Sequence, residues 1–346
     1  MRFIKIFSLV VLINLSLAVT AQTPSIQVLE SGKKISIRGL SVVSDEVIWA
    51  SGSKGSVARS IDGGKTFTWT TVPGYEKNDF RDIEAFDKNT ALIMAITEPA
   101  ALLKTTDGGQ SWKKVFEDTT KGAFFDAMDF SSKKIGRLVG DPINGKIFLA
   151  LTLDGGDTWE VGSPRPGGKG LPAHEGEAFF ASSGSNLKMH SFGYNHFLLA
   201  SGGKVARLFH NMGSDTLPIL QGQQSTGANS LALYKEKSGF IVGGDFTKDT
   251  ISKGNSVFFT LDVRNRYKPI AYTIPQTPPH GYRSCVIYLT KNNLLTCGTS
   301  GVDISKDGGN NWELISTESY HVCQKAKKGN AVFLAGSNGR IAKLIL

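Results

Sequence analysis

Cysteine is nearly missing from this chain of 346 residues: there are three, Cys285, Cys297 and Cys323, all inside apolar stretches. So few thiols exclude a scaffold built on disulfides, and the three read as buried thiols packing as small hydrophobes. Cys285 and Cys323 hold equivalent places in successive strands, so their side chains are expected to point the same way and not at each other. Histidine is sparse too, with six dispersed residues. His174-Glu175-Gly176-Glu177 comes nearest to a metal motif but lacks a second histidine at ligand spacing, and no metal is expected. There is no Cys-x-x-Cys, no haem or iron–sulfur spacing and no dinucleotide fingerprint. The glycines around Gly167-Gly168-Lys169-Gly170 lack P-loop spacing, and Ser182-Ser183-Gly184-Ser185 is not a nucleophile elbow. No cofactor and no catalytic residue follow from these patterns.

Long apolar runs are also lacking, with one exception at the start. Arg2 and Lys5 precede the apolar residues 6–19, and Val19-Thr20-Ala21 offers a small-residue cleavage site before Gln22. Residues 1–21 therefore read as a signal peptide, and the mature chain is expected to be exported, periplasmic or secreted, without stable membrane insertion. The formal charge of +9, less the two from Arg2 and Lys5, leaves +7. These charges are scattered, with no basic stripe interleaved with aromatics, so no nucleic-acid partner is expected. No linker interrupts residues 22–346, which are expected to form one domain and a monomer.

What is abundant is one short pattern. Ser60-Ile-Asp62-Gly63-Gly64-Lys-Thr66-Phe67 recurs at Thr105–Trp112, Thr152–Trp159 and Ser305–Trp312 as [Ser/Thr]-x-Asp-Gly-Gly-x-[Thr/Ser/Asn]-[Trp/Phe]. This is the pattern of the Asp-box, or BNR repeat, and its physics is that of a turn. The carboxylate caps N–H groups of its own bend, the glycines take positive φ, and the aromatic anchors the outgoing strand. The aspartates are spaced by 45 residues (62 to 107), 47 (107 to 154) and 153 (154 to 307), the last being three steps of 51. Two decayed copies are expected, at Thr260-Leu-Asp262 running to Tyr267 and at residues 209–216. A period of about 40–50 residues with several strands per repeat is that of propeller blades.

First strands of the units begin near Arg38, Arg81, Asp126, Glu177, Asn229, Arg283 and His321, which makes seven. The last unit has three strands and then the chain ends, while residues 25–29 form an orphan strand before the first unit. Supplying the orphan as outer strand of the last unit would close the ring and remove an exposed edge. The expected fold is all-β, a seven-bladed β-propeller of four-stranded antiparallel blades, its last blade closed by the N-terminal strand.

In such a blade the Asp-boxes lie on one face, and the first-strand starts lie on the other with the links between second and third strands. The boxes are therefore read as structural. The opposite mouth gathers Arg38, Arg81, Asp126, Glu177, Asn229, Arg283 and His321, with Glu98, Asp141 and Asp245 from the links. Asp82 and Glu84 carry polarity on into an inner strand where apolar residues are the default. Three arginines suit a carboxylate or acidic side chain, whereas mutual pairing with Asp82, Glu84 and their neighbours would make the same charges a structural ring.

The boxes alone resemble sialidases, sortilin-type receptors and many exported BNR proteins. With Asp79-Phe-Arg-Asp-Ile-Glu84, Val139-Gly-Asp-Pro142 and Thr226-Gly-Ala-Asn-Ser230, the arrangement resembles the photosystem II stability/assembly factor-like family over nearly the whole mature chain. That resemblance implies a non-enzymatic assembly chaperone binding a protein or peptide partner, here one of the cell envelope. The competing expectation is a sialidase-like glycoside hydrolase acting on an acidic sugar, with Arg38, Arg81 and Arg283 holding its carboxylate and Asp82, Glu84 or Asp126 as acids. No tyrosine stands at an inner-strand start beside a carboxylate, apart from Tyr282 next to Arg283.

Overall fold

The computed structural model describes residues 23–97, 99–162, 170–190, 196–210, 213–262 and 268–346. The leader 1–21, Glu98, and residues 211–212 and 263–267 of the two decayed turn copies lie outside the described residues. Every sheet is antiparallel, and the molecule is an all-β propeller of four-stranded blades. The described strands form seven sheets, six with four strands and one with six. Ser25–Glu30 pairs with Ile341–Ile345, Ser25 opposite Ile345, so the chain's first strand covers the edge of its last sheet.

The innermost strands are Ile37–Val42, Phe80–Ala85, Phe125–Phe130, Leu187–Met189, Thr226–Tyr234, Cys285–Tyr288 and Val322–Lys325. Each is joined to the next by bonds that use side chains or loop backbone in place of a β-ladder. Ala85 N donates to Ser41 Oγ (3.0 Å), Met128 N to Asp82 Oδ2 (2.8 Å) and Met189 N to Asp129 Oδ2 (2.6 Å). Leu231 N donates to Ser185 O (2.9 Å), Val286 N to Ser230 Oγ (3.0 Å) and Ser284 Oγ to His321 O (2.6 Å). Lys327 N reaches Val42 O (2.9 Å), which returns the series to its start. Polar residues in inner strands thus satisfy backbone donors of the neighbouring sheet.

The fourth sheet departs from the expected pattern. Glu177–Ala178 is not its inner strand; it pairs with Gly202–Gly203 and extends the next sheet, while Leu187–Met189 takes the inner place. Residues 179–186 then run as irregular backbone toward the axis.

The Asp-Gly-Gly turns hold the opposite rim. Asp62 accepts Thr66 N (3.0 Å) and Thr66 Oγ1 (2.6 Å), while Ser60 Oγ donates to Asp62 Oδ1 (2.7 Å) and accepts Gly64 N (2.9 Å). The same set recurs at Asp107, Asp154 and Asp307. The second glycine of each turn has φ between 85° and 96° and presses on an apolar side chain of the preceding sheet: Phe333, Trp49, Leu92 or Phe240. A Cβ there would be strained and crowded at once. The turns therefore work as clamps between sheets.

The three cysteines are buried and free, and they meet, contrary to the expectation of parallel side chains. Cys285 lies directly opposite Cys297, and its Sγ donates to Cys323 O (3.3 Å). Adjacent inner strands converge on the axis, which brings equivalent positions together.

Candidate functional site

Four of the expected residues share one structural cause. Arg38, Arg81, Asp126 and Asn229 each sit at a register shift of the inner strand: between Ile37 and Gly39, Phe80 and Asp82, Phe125 and Ala127, and Ala228 and Ser230. A β-bulge leaves one residue out of the ladder and re-aims its side chain. The start of each strand thereby presents a polar group to the channel mouth.

Arg38 has no carboxylate within ion-pair distance among the described residues, and its Nη1 donates weakly to Ser182 O (3.4 Å). Burial, and then the charge of Arg81, lower its pKa from the ordinary arginine value. Arg81 Nε bonds Asp79 Oδ2 at 2.8 Å, and its guanidinium lies 6.0 Å from the Phe124 ring. Asp82 and Glu84 do not pair with either arginine. Asp82 accepts Ile83 N and Met128 N, both at 2.8 Å, while Glu84 pairs with Lys327. Two guanidiniums thus face the mouth against one directly bonded carboxylate.

Asp126 is fully buried; the Ala181 backbone N–H approaches it, but among the described residues no side chain donates to either oxygen. Burial drives its pKa well above the carboxylate range, Asp141 pushes the same way, and Arg81 opposes them. Asp141 itself accepts Phe179 N (2.9 Å) and is raised by burial. A buried carboxyl with so few donors is costly as an anion, and a cation beside it offsets that cost.

Opposite the acids, Asn229 Oδ1 accepts Tyr282 OH (2.8 Å) and Ser182 Oγ (3.1 Å). Burial pushes the Tyr282 hydroxyl up to about 12 while Arg38 pulls against it. Phe246 is 46% exposed and packs edge-on against Phe180 (5.8 Å) and Tyr282 (6.3 Å), giving the mouth an aromatic shelf. His321 Nδ1 donates to Ile37 O (3.0 Å), which fixes the tautomer. Burial, then the nearby Arg38 charge, lower its pKa to about 4, so it is neutral at physiological pH.

Three expected residues stand apart from this group. Arg283 is fully buried: Nε bonds Asp303 Oδ2 at 2.7 Å, Nη2 joins the same oxygen, and Nη1 reaches Tyr282 O (2.9 Å) and Ser300 Oγ (2.8 Å). Glu177 is similarly held by Arg207, with Nε at 3.0 Å and Nη2 on its second oxygen. Asp245 closes a local turn onto Thr247 N (2.9 Å) and Oγ1 (2.7 Å).

Sequence reasoning passed over the segment that closes the channel. Residues 181–186 are all buried and cross the axis. Ser182 meets Arg38, Ser183 Oγ donates to Ser284 O (2.7 Å), and a Cβ on Gly184 would lie 2.2 Å from the Asp82 carboxylate. Ser185 Oγ bonds Ser230 Oγ at 2.7 Å. The small residues Ser182-Ser183-Gly184-Ser185 were the available signal, since only such side chains fit where several inner strands converge.

No family model matches the chain, and no curated protein matches it. Solved structures do. YCF48 bound to D1 peptide superposes with TM-score 0.64 at 16% identity, covering 93% of this chain and 95% of that one. YCF48 from Cyanidioschyzon merolae gives 0.63 at 15% identity, covering 92% and 98%. The Neurospora crassa Pan2 WD40 domain gives 0.59 at 14% identity, covering 89% and 88%. At these identities the likeness is one of fold, and the fold it shows is the β-propeller.

Proposed function

We propose that residues 22–346 form a single seven-bladed ring, exported by the leader 1–21, whose strand-start mouth captures a peptide or protein segment without chemical conversion. The Asp-Gly-Gly turns act in it as Asp-boxes, clamping blades together. The observation that carries this reading is the juxtaposition of two guanidiniums with spare donors, Arg38 and Arg81, and a buried carboxyl that no described side chain bonds, Asp126. Such a mouth suits a segment with an acidic group beside a basic one, with an apolar side chain on the Phe246 shelf. The bound D1 peptide named for the YCF48 structure supports peptide capture as a use of this fold. The sialidase-like alternative gains nothing from the geometry, because Tyr282 faces Asn229, not a carboxylate, and Arg283 is committed to Asp303.

An immobilised peptide array tests this directly. Peptides pairing Asp or Glu with Lys or Arg should be retained by the parent protein, and retention should drop at least tenfold in Arg38→Gln/Arg81→Gln. Equal retention of charged peptides and their neutral analogues by the parent would overturn the reading.

A further inference from the structure

Beyond the segment that closes the channel lies a second cup, opening on the rim of the Asp-Gly-Gly turns. It has a volume of about 330 Å³, within the range of small-molecule sites. Met189, Leu233 and Ile287 give it apolar walls, and Lys188, Lys235 and Lys325 supply ammonium groups. These lysines are not equally committed. Lys188 Nζ lies 3.5 Å from Asp129 Oδ1, but among the described residues Lys325 Nζ bonds only a backbone carbonyl, Leu289 O, at 2.8 Å. Lys235 Nζ sits 5.6 Å from the centre of the Tyr234 ring. Of the acids beside them, Asp129 already accepts Met189 N (2.6 Å) as well as facing Lys188, and Glu236 lines the edge of the cup.

The turn that delivers Lys235 is itself unusual. Lys235 and Glu236 have φ of 48° and 55°, two successive left-handed residues in a tight hairpin where Asn-Gly would be relaxed. Strain of this kind persists where the surrounding structure imposes it, and here it sets a cation at the edge of an apolar cup.

We propose that this cup binds a small organic anion with an apolar body, of the medium-chain or aryl carboxylate class. The anionic head would meet Lys325 and Lys235, and the body would lie on Leu233, Ile287 and Met189. This site is separate from the peptide mouth and does not depend on it, since the chain itself fills the axis between them.

The probe is the dye anilinonaphthalene sulfonate, an aryl anion, titrated well below the melting temperature and followed by fluorescence. Saturable binding is expected, with displacement by octanoate and much weaker displacement by octanol. Lys325→Glu should weaken dye binding by about tenfold, the scale of losing one charge contact and gaining a repulsion. Lys235→Glu, on an exposed turn where folding is not at stake, should weaken it in the same direction. Dye held at the other mouth should be lost in Arg81→Glu, leaving the Lys325-dependent component unchanged. Equal displacement by octanol and octanoate would overturn the anionic character. Unchanged dye affinity in both lysine variants would overturn the site, whatever the peptide array shows.

Discussion

At the turn rim, Asp154 receives Thr158 N and Oγ1 and Thr152 Oγ1; at the mouth, Asp126 has only the approach of Ala181 N, and no side chain among the described residues donates to it. Asp154 stands in the turn after the strand Lys146–Thr152, and Asp126 on the bulge that opens Phe125–Phe130. Burial is the largest single influence on the first and raises it, yet its several hydrogen bonds together hold it at about 2, whereas burial lifts the second well above its ordinary value. Arginine shows the same division: Arg283 is saturated by Asp303, Tyr282 O and Ser300, while Arg38 keeps most of its donors. Where polar groups are satisfied from within, they hold sheets together. Where a ring leaves a carboxyl and a guanidinium unsatisfied a few residues apart, partners from outside gain most by arriving.

The sharpest way to break this comparison is to treat Arg283 like a mouth arginine. Arg283→Gln leaves Asp303 buried with only His280 N (3.2 Å) and Nδ1 (2.8 Å) as partners among the described residues. Removing one partner of a buried pair costs about 3–5 kcal/mol. Chemical denaturation should show that loss, with peptide retention per folded molecule unchanged. A mild stability loss with abolished retention would place Arg283 in the mouth after all.

Asp126→Asn should act in the opposite direction. The folded carboxyl titrates above its unfolded value, so its burial penalty is absent below about pH 4 and grows as pH rises toward the folded pKa. A carboxamide does not carry that penalty. The variant should be more stable than the parent at pH 7–8 by about 1–3 kcal/mol, with the advantage vanishing near pH 3–4. Retention of peptides with a basic residue should fall in the same variant. Melting curves across pH check the first part, and a destabilised variant at pH 8 would show that Asp126 is ionised and bonded.

Turn residues and strand starts were legible because each rests on local chemistry. Asp-Gly-Gly encodes its own hydrogen bonds, and a polar residue between an apolar and a small one, as in Phe80-Arg81-Asp82 or Ala228-Asn229-Ser230, marks the bulge. Which arginine is free was not legible, because both head a first strand in the sequence; in the fold Arg38 stands on a bulge that aims it at the mouth, whereas Arg283 precedes the regular strand Cys285–Tyr288 and is met by Asp303. The trace of that partner is Asp303, a lone charge inside the apolar strand Gly301–Ser305; Arg207 is the equivalent trace for Glu177. The fourth sheet was misplaced because Glu177-Ala-Phe-Phe-Ala alternates like any inner strand. Its true inner strand, Leu187–Met189, is three residues long and follows the buried serine segment.

Asp154→Ala tests the satisfied side of the comparison. It removes the acceptor for Thr158 N and for two hydroxyls on an exposed turn. Melting should fall by about 1–3 °C at pH 7, a modest shift for a chain of this size. Because the folded pKa is depressed, this contribution is complete above about pH 4 and fades as pH falls toward 2. Parent and variant should therefore converge in acid, and peptide retention should not change. A retention loss at constant melting temperature would make the turns part of the binding surface.

The smallest structural effect is expected where the functional effect is largest. Arg81 is partly exposed, and its pair with Asp79 is of the half-exposed kind whose contribution is about 0–1 kcal/mol. Arg81→Gln should therefore shift stability by no more than about 0.5 kcal/mol, as surface substitutions generally do. Yet it removes one of two adjacent guanidiniums and leaves Asp126 without the positive charge that opposes its neighbours. Arrays should show loss of acidic peptides ahead of basic ones, because the guanidinium is the anion's partner and the Asp126 carboxyl is the cation's. If both classes decline together, the two groups act as one paired unit and the mouth reads a dipole. If neither declines while Arg38→Gln abolishes retention, the site narrows to Arg38, Ser182 and the Tyr282–Asn229 pair.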